Sequence, residues 1–167
     1  MTRTHFSDLV RCQLLIEHGG TWIDSTVYCT GRKFEDIMRL PLFVFQMKSF
    51  ACVNSSWFIV SDAHDPIITL TRDLLFEYWK NYDYLIDYFI FHRFFKMATE
   101  AYSEEWSKVP YFANSFPHEM QHSMYEDYSD EKMKHFAEVS DFHKLTYVTP
   151  EKLTPSSILQ HVIDSYR

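Results

Sequence analysis

Residues 7–27 read "SDLVRCQLLIEHGGTWIDSTV". The stretch opens like a capped amphipathic helix, stops at two glycines and enters an apolar segment holding one aspartate. Leu9, Cys12, Leu15 and Ile16 follow helical spacing, so a helix is expected over residues 5–18. Ser7 is read as its N-cap, with Asp8 in the first turn where the helix dipole favours a carboxylate. Gly19 supplies a left-handed stop. The β-branched and aromatic run over residues 21–28 is read as a strand. Asp24 lies on it beside Trp22 and Ile23, and a carboxylate in such surroundings needs a partner.

The remaining chain fits around this helix–turn–strand unit. Its 167 residues suit one domain with a real core. Hydrophobic residues make up 46% of it and aromatics 18%, too apolar for disorder. A formal net charge of -7, with no basic stripe, argues against a nucleic-acid partner. Cys12, Cys29 and Cys52 are odd in number and widely spaced, which points to reduced thiols and away from a disulfide framework or a cysteine zinc site. Cys12 falls among apolar helix positions and is expected in the core.

The opening MTRTHFSDL has no apolar core of a signal peptide. The apolar run over residues 84–95 is broken by Asp87, His92 and Arg93 and is too short to span a bilayer. A packed helix is the preferred reading of its aromatic density, with a membrane-surface or partner contact as the alternative. A short helix is expected over residues 33–39, and strands over 42–47 and 52–60. Asp65-Pro66 marks a helix start running to residue 80. Further helices are expected over 83–101, 117–126, 130–138 and 155–166. The pattern is α/β with a mainly helical C-terminal half, read as a single domain over residues 1–167.

Asp8 and Arg11 are three residues apart and project from one helical face. They offer an acceptor and a planar donor fork, suited to a polyol or a phosphate. Taken alone, the pair is read as an ordinary exposed intrahelical ion pair.

The combination of S-D-x-x-R, a helix, G-G, an apolar pair and D-x-T resembles the capsular polysaccharide synthesis family. It is also similar to the broader group of DXD sugar transferases related to glycosyltransferase family 32, which includes fungal mannosyltransferases and the large clostridial glucosylating toxins. "NSSWFIVSDAHDPII" (54–68), "LIDYFIFH" (85–92), "KVPYF" (108–112) and "HKLTY" (143–147) also resemble segments of the capsular family, so the likeness spans most of the chain.

The resemblance implies a partial GT-A-like nucleotide-sugar transferase fold, with most of the base-binding strand–helix–strand unit lying before this chain or on a partner chain. It implies transfer from a nucleotide-sugar donor to a glycan or glycolipid acceptor, in the cytoplasm of a bacterium or at the inner face of its plasma membrane. Asp8 and Arg11 would hold hydroxyls of the donor sugar. Asp24 matches the first aspartate of the DXD motif and would contact ribose, sugar or a metal. Thr26 replaces the second aspartate, and its hydroxyl is a poor ligand for Mn²⁺ or Mg²⁺. Asp87 in "LIDYF" is a second catalytic candidate on the acceptor side. His143 and Lys144 are candidates for the region of the diphosphate. Asn54 is read as a structural amide.

A rival signal is His118-Glu119-x-x-His122, which on a helix sets two imidazoles on one face with a glutamate between them, as in zinc hydrolases. Tyr125 and Tyr128 stand where an extended zinc motif would place Gly and His. Glu138, Asp141 and His143 all compete as a third ligand. A catalytically inactive binding module is the remaining alternative.

Overall fold

The computed structural model describes residues 3–31, 35–48, 52–147 and 150–165. The chain is α/β, and among the described residues every element beyond residue 61 is helical except one short strand. It divides into two compact units, residues 1–23 with 36–114, and residues 24–35 with 115–167.

In the first unit, helix α1 (Arg3–His18) leads into strand β1 (Gly20–Ile23). Strand β2 (Val27–Cys29) belongs to the second unit, and the first continues with β3 (Leu42–Gln46) and β4 (Asn54–Ser61). The three strands of the first unit form an antiparallel sheet in the order β1-β4-β3, with Gly20 and Leu42 both paired to Ser61. Helices α2 (Pro66–Asn81), α3 (Ile90–Ala101) and α4 (Ser103–Ser107) follow. Leu9, Cys12, Leu15 and Ile16 of α1 pack with Val44, Ile59, Ile67, Leu75, Phe91 and Phe95 in one core. Asp65 caps α2 as its sequence predicts, its carboxylate accepting from the Ile67 and Ile68 amides.

The second unit joins β2 to β5 (Phe142–Lys144) in an antiparallel pair. Around it lie α5 (Glu119–Ser123), α6 (Asp130–Val139) and α7 (Ile158–Asp164). Met120, Met124, Phe136, Leu145, Ile158 and Val162 form its core. Ser129 and Ser157 cap α6 and α7 by accepting from backbone amides.

Several expected boundaries are corrected. Helix α1 begins at Arg3, so Ser7 lies inside it and donates to the Thr4 carbonyl rather than capping. Asp8 is accordingly past the first turn. The strand expected over 21–28 breaks at Asp24-Ser25-Thr26, where the Val27 amide closes a turn onto the Asp24 carbonyl. The helix expected over 83–101 starts only at Ile90, because Asp87 accepts from the Phe89 amide and diverts the preceding backbone into turns. Tyr82, Tyr84, Ile86 and Tyr88 of that segment are exposed. The short helix expected over 33–39 is a 3₁₀ turn at Glu35–Arg39, with residues 33–34 outside those described. The helix expected over 117–126 is a 3₁₀ turn followed by the short α5. No described helix is long and apolar enough to cross a membrane.

The diglycine ends α1 as expected. Gly19 takes φ +63°, and a Cβ there would lie 2.8 Å from the Ala63 backbone nitrogen. Gly20 takes φ +95°, which strains any side chain, but a Cβ there would meet nothing within 4 Å. Gly19→Ala should therefore destabilise the chain by about 2 kcal/mol or more, and clearly more than Gly20→Ala, in urea unfolding. Equal losses at the two positions would refute the close-approach argument.

Candidate functional site

The Asp8–Arg11 pair is buried, contrary to the reading of an exposed surface pair. Arg11 is 4% exposed and Asp8 6%, and Arg11 Nη1 lies 3.1 Å from Asp8 Oδ1. Arg11 Nη1 also donates to the Ser56 carbonyl of β4 at 2.8 Å. The guanidinium carbon sits 5.3 Å from the Trp22 ring centroid and 5.5 Å from that of Phe91. One cation thus draws α1, β1, β4 and α3 together, with its charge met by a carboxylate, a carbonyl and two π-faces.

Other buried polar groups of this unit are less well satisfied. In β4, Asn54 and Ser55 are buried, and neither Asn54 Oδ1 nor Ser55 Oγ has a hydrogen-bond partner among the described residues. His92 Nδ1, on α3, is in the same condition. Burial first, and the Arg11 cation second, push the His92 pKa down to about 4, against a smaller opposing pull from Asp87. His92 is therefore neutral at physiological pH. Asp87 is half-buried and paired with Arg93. The Phe89 amide and the Arg93 side chain hold its carboxyl below the usual range, so it stays ionised.

The second unit gathers a different set. Lys144 Nζ lies 3.1 Å from Asp24 Oδ2 and also donates to Thr26 Oγ1. The turn after β1 sets both acceptors toward β5, where Lys144 is in register with Val27. Alternation along the strand sends the adjacent His143 inward. It is fully buried, with Nε2 3.0 Å from Thr30 Oγ1, and burial lowers its pKa to about 4. Of the two residues assigned to the diphosphate region, only Lys144 joins the D-x-T group.

A divalent cation fits this group poorly. Lys144 Nζ already occupies the point where Asp24 and Thr26 converge. A doubly charged ion about 4 Å from an ammonium would be repelled by about 8 kcal/mol at an effective dielectric near 20. Thr26 supplies no second carboxylate to offset that. Among the described residues no three His, Cys, Asp or Glu side chains are grouped to hold a metal.

The His118-Glu119-x-x-His122 segment does not assemble such a group. Glu119, His122 and His135 border an open depression of about 490 Å³ that His118 does not line. Glu119 is engaged with His135 at 2.8 Å.

The roles of Ser56, Phe91, His92 and Thr30 were not read from sequence. The polar triplet Asn54-Ser55-Ser56 opening an apolar strand, and His92 interrupting an apolar run, were the available signals.

Two outcomes follow from these geometries. Arg11→Met takes the guanidinium away from the buried Asp8, and should cost about 3–5 kcal/mol in urea unfolding, whereas Asp8→Leu with Arg11→Met should cost much less. Additive single effects would refute the pairing. For His92 and His143, native and unfolded chains are both neutral above the ordinary pKa of 6.5. Between 6.5 and about 4 only the unfolded chain takes up the protons. Stability therefore falls as pH falls through that window, by up to about 1.4 kcal/mol per pH unit for each group. His92→Gln should reduce the slope by one proton, and an unchanged slope would contradict this account.

A family model described as capsular polysaccharide synthesis protein matches residues 1–162. No curated protein and no solved structure gives a match. The segments that resemble the family in sequence include those that build both clusters: the helix carrying Asp8 and Arg11, the strand that Arg11 contacts, and the strand that delivers Lys144. With nearly the whole chain matched, this protein belongs to the capsular polysaccharide synthesis protein family.

Proposed function

We propose that this chain is a glycosyltransferase of GT-A-like, DXD-related type, moving a sugar from a nucleotide-sugar donor to a glycan or glycolipid acceptor in capsular or cell-surface polysaccharide synthesis. The observation that carries this reading is the buried Asp8–Arg11 pair together with His92, which feels the Arg11 charge and whose Nδ1 has no hydrogen-bond partner among the described residues. An unsatisfied buried polar atom costs about 1–3 kcal/mol. One next to a buried ion pair favours a site built to take a polar ligand. A hydroxyl-rich sugar offers donors and acceptors of the required kind.

In this reading Asp24 and Thr26 meet the nucleotide end of the donor. His143 stays in the core beneath Lys144. Asp87, kept ionised by Arg93, serves the acceptor side. In the reaction the bond between the anomeric carbon and the β-phosphate oxygen breaks, and its electron pair leaves with the nucleoside diphosphate. The acceptor hydroxyl oxygen bonds to the anomeric carbon, and its proton passes to solvent. Catalysis then rests on neutralising charge that develops on the diphosphate and on orienting the acceptor.

The test is a screen of uridine and guanosine nucleotide-sugars for release of nucleoside diphosphate, with and without glycan or glycolipid acceptors. Asp24→Asn should lower turnover at least about a hundredfold at an unchanged unfolding midpoint. Full turnover in that variant would overturn the assignment.

A further inference from the structure

The geometry points to Lys144 as the cation that takes the place of a divalent metal in the Asp24-x-Thr26 group, contributing its ammonium directly to the diphosphate of the donor. This rests on the glycosyl-transfer reading above and specifies how its leaving group is neutralised.

Three observations support it. First, Lys144 Nζ contacts both side chains of the motif, Asp24 Oδ2 at 3.1 Å and Thr26 Oγ1. Second, the charges agree. Two carboxylates with a divalent ion sum to zero, and so do the one carboxylate, one hydroxyl and one ammonium that meet here among the described residues. Replacing the second aspartate by Thr26 and placing a lysine here are then one change, since a second carboxylate would leave the group with a net negative charge facing a diphosphate. Third, the ammonium is held but not enclosed. Lys144 is 19% exposed and Asp24 27%. Two of its three N–H donors are used among the described residues, which leaves one for a phosphate oxygen. The antiparallel pairing of β2 with β5 sets the Lys144 backbone opposite Val27, and the contacts to Asp24 and Thr26 restrain its side chain, so less freedom remains to be lost on binding.

The step assigned to Lys144 is electrostatic. As the bond from the anomeric carbon to the β-phosphate oxygen breaks, the electron pair and the added negative charge move onto the diphosphate. The ammonium stabilises that charge without transferring its proton.

The experiment is calorimetric titration of UDP and of GDP into the whole chain, in EDTA and again in excess Mn²⁺. Lys144→Met and Lys144→Arg are measured alongside, each checked for folding by circular dichroism. At least one nucleotide should bind in EDTA, with an affinity that Mn²⁺ changes by less than about threefold. Lys144→Met should weaken that binding by about tenfold or more, and Lys144→Arg should retain most of it. Binding that requires Mn²⁺ would overturn the inference and leave glycosyl transfer standing. Unchanged affinity in a folded Lys144→Met variant would overturn it as well. Failure of both nucleotides to bind under either condition would instead overturn the glycosyl-transfer reading, and this inference with it.

Discussion

The first unit depends on how a guanidinium is kept in its interior. Desolvating Arg11 and Asp8 costs several kcal/mol for each ion, and attraction between them offsets this only where geometry and hydrogen bonding are good. Here the offset comes from four elements at once. Asp8 approaches from the same helix, the Ser56 carbonyl from β4, the Trp22 ring from β1 and the Phe91 ring from α3. The arrangement constrains the fold because each contributor must arrive in register. The sharp exit from α1 at Gly19 follows from it. The chain must reverse within two residues to set Trp22 on the strand beside β4, and only a residue tolerating positive φ and close backbone approach allows that.

A second constraint, of the same kind but weaker, governs the other unit. Two-residue alternation on β5 gives adjacent side chains opposite surroundings. His143 is enclosed with Thr30 and the Tyr28 and Phe136 rings, in an environment that favours its neutral form. Lys144 turns the other way, to Asp24 and Thr26. A one-residue slip in the β2–β5 register would exchange them, burying an ammonium and leaving the motif with an imidazole. The register is thus tied both to the core of this unit and to the charge of the D-x-T group.

Much of this architecture was legible in the sequence because it is locally determined. The α1 periodicity, the Gly19 stop, the Asp65-Pro66 start of α2 and the span of α6 each follow from residues within one or two turns. The misreadings share a different cause. Ser7 has the chemistry of a cap, but residues upstream continue the helix, so its hydroxyl returns to the Thr4 carbonyl. The run through Trp22 and Tyr28 has strand composition throughout, yet the turn at Asp24 divides it between two sheets. Asp87 ends one segment by local hydrogen bonding, which apolar content alone does not reveal. For the candidate site, the sequence carried the identities of Asp8, Arg11, Asp24 and Thr26 and their resemblance to known transferases. Through the resemblance it also offered Lys144 for the diphosphate region, but it carried neither the burial of the ion pair nor the contact of that lysine with Asp24, 120 residues away. Both are set by tertiary pairing, to which no short spacing corresponds.

The energetics of the ion pair bear on why such an interior persists. Buried pairs can often be replaced by well-packed apolar residues at no loss of stability, or with a gain. Asp8 and Arg11 already stand within an apolar core, so a Leu–Met pair of similar volume would meet compatible neighbours. Stability alone therefore does not explain the pair, nor the buried Asn54, Ser55 and His92 atoms of this unit that lack hydrogen-bond partners among the described residues. Each such atom forgoes a hydrogen bond that water gives it in the unfolded chain. A ligand carrying hydroxyls would supply the missing partners, and the energy otherwise lost to desolvation would return on binding. A neutral His92 adds to this: it can donate or accept according to its tautomer, and it adds no second positive charge next to Arg11. The fold tolerates the polar interior of the first unit because the surrounding aromatic and aliphatic packing is extensive.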